Sequence, residues 1–191
     1  MITHLELFQT GPHSRAREDV SCIFHHVHHA LKLEHLGISD DFRDTYAILP
    51  HIHSLKSIRD ESCMAGNIFS LLLTERIFPP VIAIRCIDEH FTNYIDRHPG
   101  ISSLSINVRG VALRTRALKH LVRHSETLEY LSITGSTLCR DLRHVDTELS
   151  LLQYKRLQRI VLLSSGVIAD IWLFSDAVSR NLLTSPALTF E

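Results

Sequence analysis

Leu128-Glu129-Tyr130-Leu131-Ser132-Ile133 carries apolar residues at its first, fourth and sixth positions, and Ile101-Ser102-Ser103-Leu104-Ser105-Ile106 repeats the arrangement. Residues two apart share one face of a strand, so the fourth and sixth positions turn to a core while the third and fifth turn away from it. A search for the same spacing adds Ile2/Leu5/Leu7, Leu33/Leu36/Ile38, Val81/Ile84/Cys86 and Leu157/Ile160/Leu162, with weaker copies at Ile52/Leu55/Ser57 and Leu188/Phe190. The central residues of these eight copies, Leu5, Leu36, Leu55, Ile84, Leu104, Leu131, Ile160 and Leu188, stand 31, 19, 29, 20, 27, 29 and 28 residues apart. A near-regular period of this length is the signature of an array of supersecondary units.

The segments between the copies read as helices. Ala16, Val20, Ile23, Val27 and Ala30 recur at helical spacing after a Ser14 N-cap. Ile68, Leu71, Leu72 and Glu75 predict a second helix between Ser62 and Arg76, and Thr115 caps one that carries Leu118, Leu121 and Val122. Leu138 to Leu152 and Ile168 to Leu182 continue the pattern, and the two short gaps leave room for reduced helices over 42–49 and 91–97. Pro50, Pro80, Pro99 and Pro186 fall just before strand copies, where proline ends a helix and favours extended backbone. Trp172, Tyr46, Tyr94 and Tyr154 stand among aliphatic residues at helical spacing, which gives them core-packing roles.

Composition narrows the function. The 191 residues are 45% hydrophobic and 21% charged, enough apolar material for a sizeable core. Twenty Lys plus Arg balance 21 Asp plus Glu, for a formal charge of −1, so no global field draws in nucleic acid. Cys22, Cys63, Cys86 and Cys139 match neither a disulfide scaffold nor a C-x-x-C motif. With no basic leader and no long apolar run, the sequence predicts a cytoplasmic or nuclear protein without a membrane span.

The organisation resembles the leucine-rich repeat, L-x-x-L-x-L-x-x-N/C-x-L, from Ile2 to Phe190, and its long repeats resemble the ribonuclease-inhibitor-like type. At the ninth position, where that family places Asn or Cys, this chain carries Thr10, Asp41, Asp60, Glu89, Arg109, Ser136 and Ser165. The wording of Arg97-His98-Pro99-Gly100-Ile101 and Arg123-His124-Ser125-Glu126-Thr127-Leu128 is similar to the irregular repeats of fungal F-box/leucine-rich-repeat proteins. The resemblance implies an α/β solenoid, a horseshoe with a parallel sheet on the concave face and helices on the convex face, as one domain of about eight irregular repeats over 1–191. It also implies a protein-recognition module, the substrate-holding part of a ubiquitin-ligase receptor. A Skp-type adaptor is then a partner only where an F-box precedes the repeats, and none is seen here: Leu49-Pro50 reads as part of a repeat, with Pro50 to Leu55 aligned on Pro99 to Leu104. The alternative is a free-standing scaffold or inhibitor with no ligase link.

In such an array the third and fifth strand positions line the concave sheet. They are His4 and Glu6, His35 and Gly37, Ser54 and Lys56, Ala83 and Arg85, Ser103 and Ser105, Tyr130 and Ser132, Arg159 and Val161, and Ala187 and Thr189. Tyr130, Arg85 and Arg159 are hot-spot residue types, with His35, Lys56, Ser103, Ser105 and Ser132 around them as candidate partner-binding residues. The register also predicts burial of Leu36, Ile84, Leu104, Leu131 and Ile160, and outward-facing Glu129, Ser105 and Ser132.

No G-x-S-x-G, G-x-x-x-x-G-K-[ST], H-E-x-x-H or G-x-G-x-x-G motif occurs, so a non-enzymatic role without a cofactor is expected. A hydrolase or metal enzyme with a pocket at the solenoid edge is the outside reading. Of the 14 histidines, His25 and His29 fall side by side on the polar face of the first helix. They are the metal candidates, but two imidazoles fall short of the three or four ligands of a stable zinc site. Both ends open on strand copies without a polar cap, which predicts that the native polypeptide extends upstream or that another chain covers one end.

Overall fold

Parallel pairing joins each strand to the next along the chain within each of two compact units, 1–97 and 98–191. The structure, a computed structural model, describes residues 2–7, 24, 32–39, 45–62, 66–108, 119–135 and 154–163. The first predicted helix apart from Phe24, the helices over 138–152 and 168–182, the Leu188 copy, and Trp172, His25 and His29 lie outside those residues.

In the first unit the strands are β1 (His4–Leu7), β2 (His35–Ile38), β3 (Ser57–Asp60) and β4 (Val81–Ile84). Their register sets Leu5, Leu36, Ile58 and Ile82 in one row and Leu7, Ile38, Asp60 and Ile84 in another. From β2 onward both rows are buried. The first two copies and Ile84 are inward as expected, but the third and fourth copies are displaced. The third is Leu55/Ile58/Asp60 rather than Ile52/Leu55/Ser57, and the fourth centres on Ile82 rather than Ile84. Central residues in this unit are therefore 31, 22 and 24 apart instead of 31, 19 and 29.

The physical reason for the first displacement is Asp60. A carboxylate stands at an inward position, 1% exposed, with Oδ1 accepting the Ser62 N–H at 2.9 Å. A buried polar group held this way is tolerated in the core, whereas a search for apolar residues passes it by. Pro50 lies inside a 3₁₀ helix, Thr45–His51, rather than at the start of a copy, while Pro80 directly precedes β4 as expected.

Helix α1 (Gly66–Thr74) buries Ile68, Phe69, Leu71 and Leu72, and it ends one residue before Glu75. The Ile77 N–H donates to Leu72 O at 2.8 Å and the Arg76 N–H to Leu73 O at 3.2 Å, with Arg76 at φ 56°. This is a Schellman closure with arginine where glycine is usual. Helix α2 (Glu89–Arg97) starts on Asp88, whose Oδ1 accepts the Phe91 N–H at 2.8 Å. Its Phe91, Tyr94 and Ile95 face inward. Phe69 meets Phe91 edge-on at 4.9 Å and Tyr94 at 5.2 Å, and the buried Tyr94 hydroxyl donates to Ile77 O at 3.0 Å. Burial pushes that phenol far above its ordinary pKa.

The second unit contains β5 (Ser103–Val108), β6 (Tyr130–Gly135) and β7 (Arg159–Leu163), with a 3₁₀ helix at Lys119–His124. Here the expected register holds: Leu104, Leu131 and Ile160 are partners across the three strands. Ile101, Leu104, Ile106 and Leu128 are fully buried, and Leu131 and Ile133 nearly so. The side chain of Ile160 lies outside the described residues. The fold class is thus α/β with parallel strands, and among the described residues no helix is long and apolar enough to cross a membrane.

Candidate recognition surface

Strand alternation leaves two outward rows in the first unit. His4, His35, Ser57 and Val81 are in register, as are Glu6, Gly37, Arg59 and Ala83. His35 Nδ1 and Ser57 Oγ are 2.7 Å apart, the His4 and His35 rings are 5.6 Å apart, and His4 Nε2 stands 3.3 Å from Glu6 Oε1. Glu6 lies over Gly37, its Cγ only 3.0 Å from where a Cβ would project, so a side chain there would have to displace it. Arg59 Nε donates to Glu61 Oε1 at 2.7 Å. On the rim before the strands, Lys56 Nζ reaches Glu34 Oε2 at 2.8 Å, and this hydrogen bond holds the Glu34 carboxyl below its ordinary pKa.

Of the candidate residues in this unit, only His35 occupies the place expected. Lys56 precedes β3, because the true register puts Ser57 and Arg59 on the outward positions instead of Ser54 and Lys56. Arg85 follows β4, its N–H donating to Asp60 O at 3.0 Å and its guanidinium 3.5 Å from Glu61 O. It is a rim residue past the strand end rather than a member of the sheet row.

In the second unit the outward rows run Ser103, Tyr130, Arg159 and Ser105, Ser132, Val161. The Arg159 guanidinium carbon sits 5.6 Å from the centre of the Tyr130 ring, a cation–π contact between two residues singled out from sequence. Ser103 and Ser105 are half-buried beside them. Ser132 corrects an expectation: it lies in an outward row but is only 6% exposed, on the middle strand with Ser105 and Val161 to either side. Glu129 is half-buried rather than fully outward.

Sequence reasoning missed the buried histidines: His51, His98 and His124 are at most 3% exposed, while Tyr154, 6% exposed, takes the core-packing place expected of it. The four rings precede the first apolar residue of a copy, Leu55, Ile101, Leu128 or Leu157, by three or four positions, and that recurrence is the signal that would have found the histidines. The His124 Nδ1 accepts the Ile101 N–H at 3.3 Å and the His98 Nδ1 accepts the Gly100 N–H at 3.1 Å, so imidazoles satisfy backbone donors ahead of β5. Burial lowers the His51 pKa, and its ring packs 5.3 Å from Phe24; burial also pushes the Tyr154 phenol up to about 12.

Among the described residues no group of three or more His, Cys, Asp or Glu is gathered to hold a metal ion. The Ser57 hydroxyl beside an imidazole has the elements of a nucleophile and base, while the Ser57 backbone N–H, which donates to Glu34 O at 3.0 Å, is taken up by the strand pairing rather than open to an oxyanion. The first face offers two imidazoles, a carboxylate and a guanidinium around Ser57, and the second a run of serines beside Tyr130 and Arg159. No family model matches the chain, and no similar curated protein or solved structure was found.

Proposed function

We propose that the chain is a leucine-rich-repeat-type protein that recognises another protein through the outward face of its parallel strands. The observation that supports this most is the Tyr130–Arg159 contact on a face otherwise made of small residues. Tyrosine and arginine dominate binding energy where they are pre-positioned, and short serine side chains let a partner backbone approach. The resemblance to F-box/leucine-rich-repeat proteins extends the reading to the substrate-holding half of a ubiquitin-ligase receptor, with a Skp adaptor engaged only through a preceding F-box.

Photo-crosslinking tests the surface. A crosslinkable residue in place of Ser105 or Arg59 should join to partner proteins in cell extract, while one at Asn93, exposed on α2, should not. The double change Tyr130→Ala and Arg159→Ala should abolish the Ser105 crosslinks and leave the melting temperature within a degree or two. Crosslinks from Asn93 alone would move recognition to the helices.

A further inference from the structure

Four outward positions of β1 and β2 form a block, with His4 beside His35 in one row and Glu6 beside Gly37 in the next. Independently of the recognition role, we propose that this block binds a transition-metal dication of the zinc class, with His4, His35 and Glu6 as its protein ligands and water as the fourth.

Ligand chemistry and spacing support the choice of ion. Imidazole nitrogens with a carboxylate suit zinc and its neighbours rather than magnesium or calcium, and two histidines, one glutamate and a water make a recurrent zinc set. Two imidazoles that share a zinc ion at about 2.1 Å per nitrogen hold their ring centres roughly 5.2 to 5.5 Å apart, at angles of about 110 to 120°. The His4 and His35 rings are 5.6 Å apart on neighbouring strands. His35 also has the contact that a ligating imidazole needs at its other nitrogen. Its Nδ1 stands 2.7 Å from Ser57 Oγ, and a proton held there leaves the Nε2 lone pair for the metal.

Gly37 makes room for the third ligand. A glycine inside a strand weakens it and often marks a place where another group comes close. Here that group is Glu6, whose Cγ is 3.0 Å from where the Cβ would stand, and whose Oε1 is 3.3 Å from His4 Nε2. As the side chains stand, three ligands are not gathered. The remaining step is rotation of His4 and Glu6, with side chains 60% and 34% exposed, toward the His35 ring that Ser57 holds. Charge favours the cation, because Lys56 is paired with Glu34 and Arg59 with Glu61, which leaves the Glu6 carboxylate to meet it.

Calorimetric titration of Zn²⁺ into the full chain tests the site, in a reference background carrying His25→Ala and His29→Ala to remove the other paired histidines. One equivalent should bind with a micromolar Kd at pH 7.5 in excess Mg²⁺, and far more weakly at pH 5.5, where protons compete for the imidazoles. His4→Ala and His35→Ala should each remove that equivalent. Glu6→Gln should weaken it about tenfold, and Ser57→Ala should do the same by taking away the partner of Nδ1. Zn²⁺ should also raise the melting temperature of the reference background, by joining β1 to β2, and leave that of His4→Ala unmoved. Without metal, His4→Ala should melt as the reference does, since the change lies at an exposed position. No saturable binding below millimolar Zn²⁺ overturns the site, as does an equivalent that survives either histidine change, or an affinity indifferent to Glu6→Gln.

Discussion

Leu131→Ala is the sharpest probe of the core. Leu131 is 1% exposed on β6, which is hydrogen-bonded to β5 on one side and β7 on the other, with Leu104 and Ile160 as its register partners. The change removes three carbons, worth about 0.8 kcal/mol each on burial, or about 2.4 kcal/mol in transfer alone. Strand backbone on both sides keeps the walls from collapsing into the space, so a cavity contribution brings the expected loss to about 3 to 4 kcal/mol. Against a typical stability of about 5 to 15 kcal/mol, that is a large share. Leu5→Ala deletes the same atoms from a half-buried position on β1 and should cost about half as much. Urea unfolding followed by far-UV circular dichroism reads both variants, with unchanged m-values expected. A loss below about 1.5 kcal/mol for Leu131→Ala, or one no larger than for Leu5→Ala, would refute the burial argument.

Three further outcomes follow from local geometry. Burial lowers the His51 pKa, so the unfolded chain binds that proton more readily; stability should be full above the ordinary imidazole range and fall as pH drops through it toward the folded value, by at most about 1.4 kcal/mol per pH unit. Melting temperatures between pH 7.5 and 5.5 should show this slope, and a His51→Phe variant with an undiminished slope would count against it. A Cβ at Gly100 would stand 2.9 Å from Thr127 Cγ2, so Gly100→Ala should cost about 1 to 2 kcal/mol. Adding Thr127→Ser, which removes that methyl but keeps the hydroxyl that donates to Ile101 O, should recover most of it, and purely additive losses in a double-mutant cycle would contradict the contact. Arg76→Gly, at φ 56° in the closure of α1, should raise stability by about 1 kcal/mol, readable as a higher urea midpoint; a lowered midpoint would show that the arginine side chain outweighs its backbone strain.

Parallel strands and their order were legible throughout the second unit, where the apolar spacing and the strand register coincide. Ile101/Leu104/Ile106, Leu128/Leu131/Ile133 and Leu157/Ile160/Leu162 pair in the register the spacing implies. The first unit was harder to read because Asp60 breaks the apolar pattern at an inward position and Ile52/Leu55 offers a false match three residues early. That slip hid Ser57, and with it the contact to His35, while promoting Lys56 and Ser54 to a face they do not occupy. Tyr130 and Arg159 were found because their copies were in register, but their stacking is a matter of rotamer and distance that no spacing encodes. Buried histidines escaped notice because imidazole is usually a surface group, and only its recurrence ahead of three of the copies marks it as internal.

In-register parallel pairing turns each outward face into a grid. Neighbouring strands lie about 4.8 Å apart, and outward residues along one strand are separated by roughly 6.6 Å, two residues of rise. Because inward and outward rows alternate, a substitution at an outward point changes what the grid presents without touching the apolar rows that hold the strands together. Duplicating one strand with its connecting segment would insert a new column and slide every later column by one step, leaving the order on either side intact. A lineage carrying such a chain can therefore try new surfaces one column at a time, and one limit on that freedom in the first unit is Asp60, the inward point where a column cannot be exchanged without rehousing a buried carboxyl group.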